Sequence, residues 1–132
     1  IRDELLKEDS LLPAIYLTQK LDIAVVGIGY PNEKSAIMAT GYFKENEIES
    51  LIDRKVAGEL CMQFYDIYGD TAPYKDDNNV IGMDISMLRS VPRSIGIAGG
   101  VEKLRAVRGA INGHYINTLI TDIECAEALI SE

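Results

Sequence analysis

The sequence is poor in the residues that build metal sites and disulfide frameworks. It contains two cysteines and one histidine among 132 residues. Cys61 and Cys125 lie far apart with no CxxC spacing, and His114 falls near a predicted helix end, where a cap or surface position is expected. We therefore expect no zinc site, no disulfide framework and no cofactor, and interpret both cysteines as reduced thiols of a cytoplasmic protein.

Long apolar runs are also missing. No run approaches the roughly 20 residues that a membrane-spanning helix requires, and no signal peptide opens the chain. We expect no membrane partner. The chain begins at Ile1 rather than at methionine, and we expect either a fragment or a trimmed form of a longer chain.

The sequence has too few basic residues for a surface that binds nucleic acid. Thirteen Lys and Arg stand against 21 Asp and Glu, for a net charge of -8. Binding to a phosphate backbone needs a basic face, and the seven tyrosines are too scattered to form a stacking platform. Any contact with DNA must therefore come from another part of the protein.

What is present is the pattern of an α/β domain. Residues 23–28 form an almost uninterrupted apolar run, typical of a strand buried on both faces of a parallel sheet. The last third predicts a strand over 93–100, a helix over 101–114 that closes near Gly113, and a strand over 116–122 followed by a final helix. This alternation predicts βαβ units and a parallel sheet flanked by helices.

The first two thirds predict shorter elements. Ser10 near an N-cap and Pro13 in a first turn indicate a helix that follows a shorter one. Asn46 and Glu49 resemble a capping box that opens another short helix. Residues 55–70 are predicted to form one extended segment.

Glycines follow the predicted strands, where ligands bind in open α/β sheets. Gly27 and Gly29 flank the end of the first strand, Gly99 and Gly100 end the second, and residues 121–122 end the third. Glycine allows the backbone to approach a ligand, and a following helix offers free N–H groups to an anion. Neither pair completes a dinucleotide or P-loop signature, so a tight strand-to-helix turn remains the alternative for each.

Two charged residues are candidates for ligand contact. Lys103 follows Gly100 in the first turn of a predicted helix, where a cation is unfavourable unless an anion is bound nearby. The alternative is a solvated lysine offset by Glu102. Glu59 follows Gly58 in an apolar segment, where it either lies exposed at a sheet edge or faces a polar pocket and accepts hydrogen bonds from ligand hydroxyls.

Several segments, taken in order, resemble the SorC-type sugar-binding transcriptional regulators, the group that includes the central glycolytic gene regulators. They are IRDELL, DIAVVGIG, VAGELCMQFYDIYG and VPRSIGIAGGVEKLRAVRGAINGHYINTLITDIECAEAL, and they cover most of the chain. The resemblance implies a Rossmann-like α/β domain, similar to glucosamine-6-phosphate deaminase and ribose-5-phosphate isomerase.

The resemblance also implies a ligand and the residues that face it. The effectors of the family are sugars, commonly phosphorylated, and the residues that match Glu59 and Lys103 face them. Family members use in addition an arginine between the GIG strand and the acidic residue. No residue of this chain aligns with that arginine among the candidates Lys34, Thr40, Lys44 and Arg54.

At the level of the whole protein, the resemblance implies that residues 1–132 form the C-terminal portion of an effector domain. DNA would be bound through an N-terminal helix-turn-helix domain that is not in this chain, by a homo-oligomer (a dimer or tetramer). The leading hypothesis is a sensor in which Lys103 pairs with phosphate and Glu59 holds hydroxyls. The alternatives are a sugar-phosphate isomerase or deaminase on the same fold, with Glu59 as base, and an oligomerisation module without a pocket.

Overall fold

The computed structural model describes residues 1–32 and 34–131, which contain both helices and strands. The helices are α1 (Arg2–Leu5), α2 (Leu12–Thr18), α3 (Ala36–Ala39), α4 (Glu45–Asp53), α5 (Leu104–Asn112) and α6 (Ile123–Ile130). The strands are β1 (Ile23–Gly27), β2 (Gly58–Leu60), β3 (Gln63–Tyr65), β4 (Arg93–Ile97) and β5 (Thr118–Ile120). Short 3₁₀ turns span Ala72–Tyr74, Ile85–Ser90 and Val101–Lys103. No helix in these two ranges is long and apolar enough to cross a membrane.

Strands β1, β4 and β5 form a three-stranded parallel sheet with β4 at its centre. Ile23 is in register with Arg93, and Ile95 with Thr118. The predicted α/β class, with a parallel sheet flanked by helices, is confirmed. The carboxyl ends of the three strands meet at one edge, which is where a ligand site was expected.

The described residues cover only one face of this sheet. Ala24 and Ser94 point toward the core and are buried, whereas Ile23, Val25 and Ile120 are each more than half exposed. The prediction that the first strand is buried on both faces is therefore wrong for these residues. Side chains alternate along a strand, and the core of this chain lies against only one of the two faces.

The core forms where α5 packs closely on the β2–β3 hairpin. A Cβ added to Gly109 would lie 2.7 Å from the ring of Tyr65 and 2.6 Å from the carbonyl oxygen of Asp66. A Cβ added to Gly58 would lie 2.6 Å from that of Ala106, and the Tyr65 hydroxyl donates to the Ala106 carbonyl at 2.9 Å. Small residues thus fix α5 against the hairpin at close range.

The segment 55–70 is a hairpin rather than the single extended segment that was predicted. Strands β2 and β3 pair in antiparallel fashion, with Glu59 opposite Phe64. The two residues between them, Cys61 and Met62, have φ values of 51° and 59°. Two positive φ angles are typical of the tight hairpin turns that glycine and asparagine favour, and neither residue type is present at these two positions.

One of the two predicted helix starts is displaced. Helix α2 starts as predicted, with its N-cap at Leu11, next to Ser10, and with Pro13 in its first turn. Helix α4 begins at Glu45, and Glu47 rather than Glu49 accepts a hydrogen bond from the backbone of Lys44, at 2.7 Å. The capping pattern therefore lies two residues earlier than predicted.

The end of α5 lies at Gly113, as predicted. The left-handed residue that follows is His114, with a φ of 57°, and the Tyr115 N–H donates to the Ala110 carbonyl at 3.0 Å. This is a Schellman ending. Gly113 is needed for space, because an added Cβ would overlap the ring of Tyr115.

Candidate functional site

A cavity of about 670 Å³ opens at the carboxyl end of β1. Its wall is formed by the residues after β1, by α3 and α4, by β2, and by the 3₁₀ turn before α5. The charged and polar groups on this wall include Lys34, Ser35, Glu59, Glu102 and Lys103. The volume lies within the range of small-molecule sites, roughly 300–1,000 Å³.

Glu59 is placed by backbone pairing with the end of β1. The Gly29 N–H donates to the Glu59 carbonyl at 3.0 Å, and the Glu59 N–H donates to the Gly29 carbonyl at 2.9 Å. The Glu59 side chain then folds over Gly29, where any Cβ would overlap Oε1 of the carboxylate. The side chain lines the cavity, so of the two orientations left open by the sequence, the structure has the one that faces a pocket.

The carboxylate of Glu59 is partly removed from solvent. Burial raises its pKa above the ordinary value of 4.5, and this effect is opposed by the Met62 N–H, which donates to Oε2 at 3.0 Å, and by the charge of Lys103. A carboxylate held in this way has incomplete solvation. It is therefore well suited to accept hydrogen bonds from hydroxyl groups of a ligand that displaces water.

Glu59→Gln is expected to stabilise the folded protein at neutral pH. Because folding raises the pKa of Glu59, the folded state holds this proton more tightly, and stability falls as pH rises above the ordinary value of 4.5. The cost is absent below that pH and complete above the folded-state pKa. Glutamine keeps an oxygen for the Met62 N–H without the charge.

Urea denaturation at about pH 4 and about pH 7 tests this expectation. The variant should be more stable than the parent protein at the higher pH and equal to it at the lower. Glu49→Gln, on the exposed side of α4, is the matched control. An equal difference between parent and Glu59→Gln at both pH values would contradict an electrostatic cause.

Lys103 ends the 3₁₀ turn Val101–Lys103 and is the N-cap of α5. Its backbone N–H donates to the Gly100 carbonyl at 3.1 Å, and the half-buried side chain lines the cavity. It forms no ion pair with another residue of the described ranges, and Glu102, the expected counter-charge, lines the same cavity. A cation is thus presented at a helix start without a carboxylate bound to it.

The predicted glycines divide into two groups. Gly29 lines the cavity together with Glu59 and Lys103. Gly27 does not, and a Cβ added to it would meet no atom within 4 Å. The Gly99–Gly100 turn also lies outside the cavity wall and leads into Lys103. A direct ligand contact by these last three glycines therefore stays a prediction.

The loop after β1 supplies cavity residues that include Lys34, which was considered as the counterpart of the family's arginine and did not align with it, and Ser35, which was not singled out. Lys34 and Ser35 line the cavity, and the Lys34 N–H donates to the side chain of Asn32 at 2.8 Å. Arg54 does not line the cavity, and its guanidinium group pairs with both carboxylate oxygens of Asp77, at 2.7 and 3.0 Å. For Ser35 the only sequence signal was its position in the loop just after a strand.

Comparison with known sequences identifies relatives along the whole described chain. The family model for a sugar-binding domain matches residues 1–131. The chain is 38% identical over 110 residues to the sorbitol operon regulator of Klebsiella pneumoniae, an alignment that covers 83% of this chain and 35% of that protein. It is 31% identical over 118 residues to the deoxyribonucleoside regulator of Bacillus subtilis, with 89% and 37% covered.

Solved structures have the same fold. The full-length sorbitol operon regulator SorC from Klebsiella pneumoniae superposes with a TM-score of 0.86 at 32% identity, over 98% of this chain and 42% of that one. A DeoR family transcriptional regulator from Listeria monocytogenes superposes with a TM-score of 0.90 at 26% identity, over 97% and 52%. The chain thus spans between about a third and a half of the length of these relatives.

Proposed function

The chain belongs to the family of sugar-binding domains found in SorC-type transcriptional regulators, and from this premise we propose that it is an effector sensor. A sugar phosphate binds in the cavity beside Gly29, Glu59 and Lys103. Its occupancy alters how the regulator engages DNA, which is a bias between two states rather than a chemical reaction. The observation that carries the proposal is the presence, on the wall of one cavity, of a partly buried carboxylate and of a lysine that forms no ion pair within the described ranges.

The two side chains complement the two ends of such a ligand. The Lys103 ammonium is a compact positive charge with three donors, which suits a phosphate group. The Glu59 carboxylate only accepts hydrogen bonds, which suits sugar hydroxyls. Lys34 adds a second cation on the cavity wall.

The response of the whole regulator extends beyond these residues. We propose that residues 1–132 are the C-terminal portion of the effector domain, that the regulator is a cytoplasmic homo-oligomer, and that a separate DNA-binding domain contacts the operator. The net charge of -8 supports a DNA-binding domain separate from this chain, because this chain lacks the excess of basic residues that DNA binding requires. The ligand can shift the oligomer only as far as it binds its two states differently.

Lys103→Ala is expected to weaken binding of sugar phosphates by about tenfold or more, since it removes a charge-assisted contact to phosphate. Binding of the unphosphorylated parent sugars should change little. Isothermal titration with a panel of aldose and ketose monophosphates, their parent sugars and inorganic phosphate measures both. The matched control is Lys75→Ala, at an exposed lysine outside the cavity wall. Unchanged affinity for every phosphate after Lys103→Ala would refute the assigned role.

The same panel separates the sensor from the other two functions. Incubation with each compound, followed by NMR, would reveal turnover if the protein were an isomerase or deaminase. The absence of any thermal shift across the panel would favour an oligomerisation module. The two relatives are named as regulators, which supports the sensor over the enzyme.

A further inference from the structure

Asp122 connects the ends of two neighbouring strands beside the cavity. It follows β5 and is the N-cap of α6, where Oδ1 accepts a hydrogen bond from the Cys125 N–H at 2.8 Å. Its other oxygen, Oδ2, accepts from the Gly100 N–H at 2.5 Å, beyond the end of β4. One carboxylate therefore holds both a helix start and the turn that follows the central strand.

The turn held by Asp122 leads directly to Lys103. The last sheet hydrogen bond on this side joins the Ala98 N–H to the Ile120 carbonyl at 3.1 Å. Beyond it, Gly100 has a φ of 95°, a conformation that side-chain-bearing residues rarely adopt, and its carbonyl accepts the Lys103 N–H at 3.1 Å. Asp122, Gly100 and Lys103 thus form a continuous series of hydrogen-bonded groups.

A helix cap alone would need only one of the two oxygens. Asp84 shows this simpler arrangement: it caps the turn Ile85–Ser90 by accepting the Ser86 N–H at 2.8 Å. At Asp122 the two backbone donors lower the pKa of the carboxyl group, which keeps it ionised as an acceptor for both. The second bond crosses to another strand, which has no counterpart at Asp84 among the hydrogen bonds of residues 1–32 and 34–131.

We propose that Asp122 is a positioning residue, which fixes the Gly99–Gly100 turn and thereby sets where Lys103 stands on the cavity wall. The role of Lys103 toward an anion rests on the proposed function, whereas the placement itself is a property of the ligand-free protein. Asp122 lies outside the cavity wall and would act only through the turn.

Asp122→Ser separates the two bonds. A serine at an N-cap can still accept the Cys125 N–H, but its single, shorter hydroxyl cannot also reach Gly100. Asp122→Asn is a second variant of nearly the same size, which keeps one oxygen for the cap and turns its NH₂ group toward the Gly100 N–H. Asp84→Ser is the matched control, since it makes the same change at an N-cap that serves only as a cap.

The primary measurement is amide hydrogen exchange by NMR in the ligand-free protein. Asp122→Ser should accelerate exchange at Gly100 and Lys103 by about tenfold or more while Cys125 stays protected. Asp84→Ser should leave all three unchanged. Parent-like exchange at Gly100 and Lys103 in both Asp122 variants would overturn the proposal.

The second measurement is the affinity for glucose 6-phosphate and inorganic phosphate. For whichever of these probes the parent protein binds, Asp122→Ser should raise the Kd by about five- to tenfold. Asp84→Ser should raise the same Kd by less than about twofold. If the Gly100 amide exchanges faster in Asp122→Ser but the Kd is unchanged, Asp122 acts only as a helix cap, and its positioning role is overturned. If the parent protein binds no sugar phosphate at all, the proposed function fails, and the exchange rates alone still decide whether Asp122 places Lys103.

Discussion

Gly29→Ala is expected to weaken sugar-phosphate binding about as much as removing the Glu59 carboxylate, by roughly 10- to 100-fold. The added Cβ would occupy the space of the Glu59 carboxylate. The flexible end of Glu59 would yield rather than the backbone, which is tied by two hydrogen bonds between the same residues. Glu59 would then leave the Met62 N–H and its place in the cavity.

A double-mutant cycle tests this mechanism by isothermal titration with the sugar-phosphate panel. Gly29→Ala should have no further effect in a Glu59→Ala background, since the displaced group is already absent. The matched control is Gly27→Ala, two residues earlier, where an added Cβ meets nothing within 4 Å and affinity should be unchanged. Additive losses from Gly29→Ala and Glu59→Ala would mean that Gly29 acts by another route.

Gly109→Val is expected to produce the largest loss of stability, about 3 kcal/mol or more. Its side chain would be forced into the ring of Tyr65 and the backbone of Asp66. Tyr65 cannot move aside easily, because it is fully buried and its hydroxyl is bonded to the Ala106 carbonyl. Helix α5 would have to separate from the hairpin.

Denaturant unfolding measures this loss, with Gly82→Val as the control. A Cβ added to Gly82 meets no atom within 4 Å, so the unfolding midpoint should stay near that of the parent protein. A parent-like midpoint for Gly109→Val would show that α5 shifts without cost. In that case the relation between Glu59 on the hairpin and Lys103 at the start of α5 would not be fixed by packing.

The sequence allowed the parallel sheet to be predicted, because its signals are local. Apolar runs ended by glycine mark β1 and β4, and the helix signals after β4 and β5 are strong. The exposure of Val25 could not be predicted in the same way, since an apolar run does not reveal how many faces are covered. The turn at Cys61 and Met62 was hidden because it lacks the residues that usually accept positive φ.

The candidate site was predictable only in part, because two of its residues are placed by contacts between segments that are distant in sequence. Lys103 stood out because a cation at a helix start conflicts with the helix dipole. Glu59 remained ambiguous, since its orientation depends on the pairing of β2 with Gly29, a contact between distant segments. Lys34 reaches the cavity through a loop whose path follows from the tertiary fold rather than from its own residues.

The pairing of β1 with β4 has a consequence for the order in which the protein folds. Because Ile23 is in register with Arg93, β1 joins the sheet only after a loop of about 70 residues has closed. The β4–β5 pair closes a far shorter segment, from Ile95 to Thr118, across α5. The C-terminal βαβ unit should therefore form early, with Lys103 in place, whereas the end of β1, with Gly29, should reach Lys103 late. Sugar binding would then report completion of the slowest step in assembling the domain.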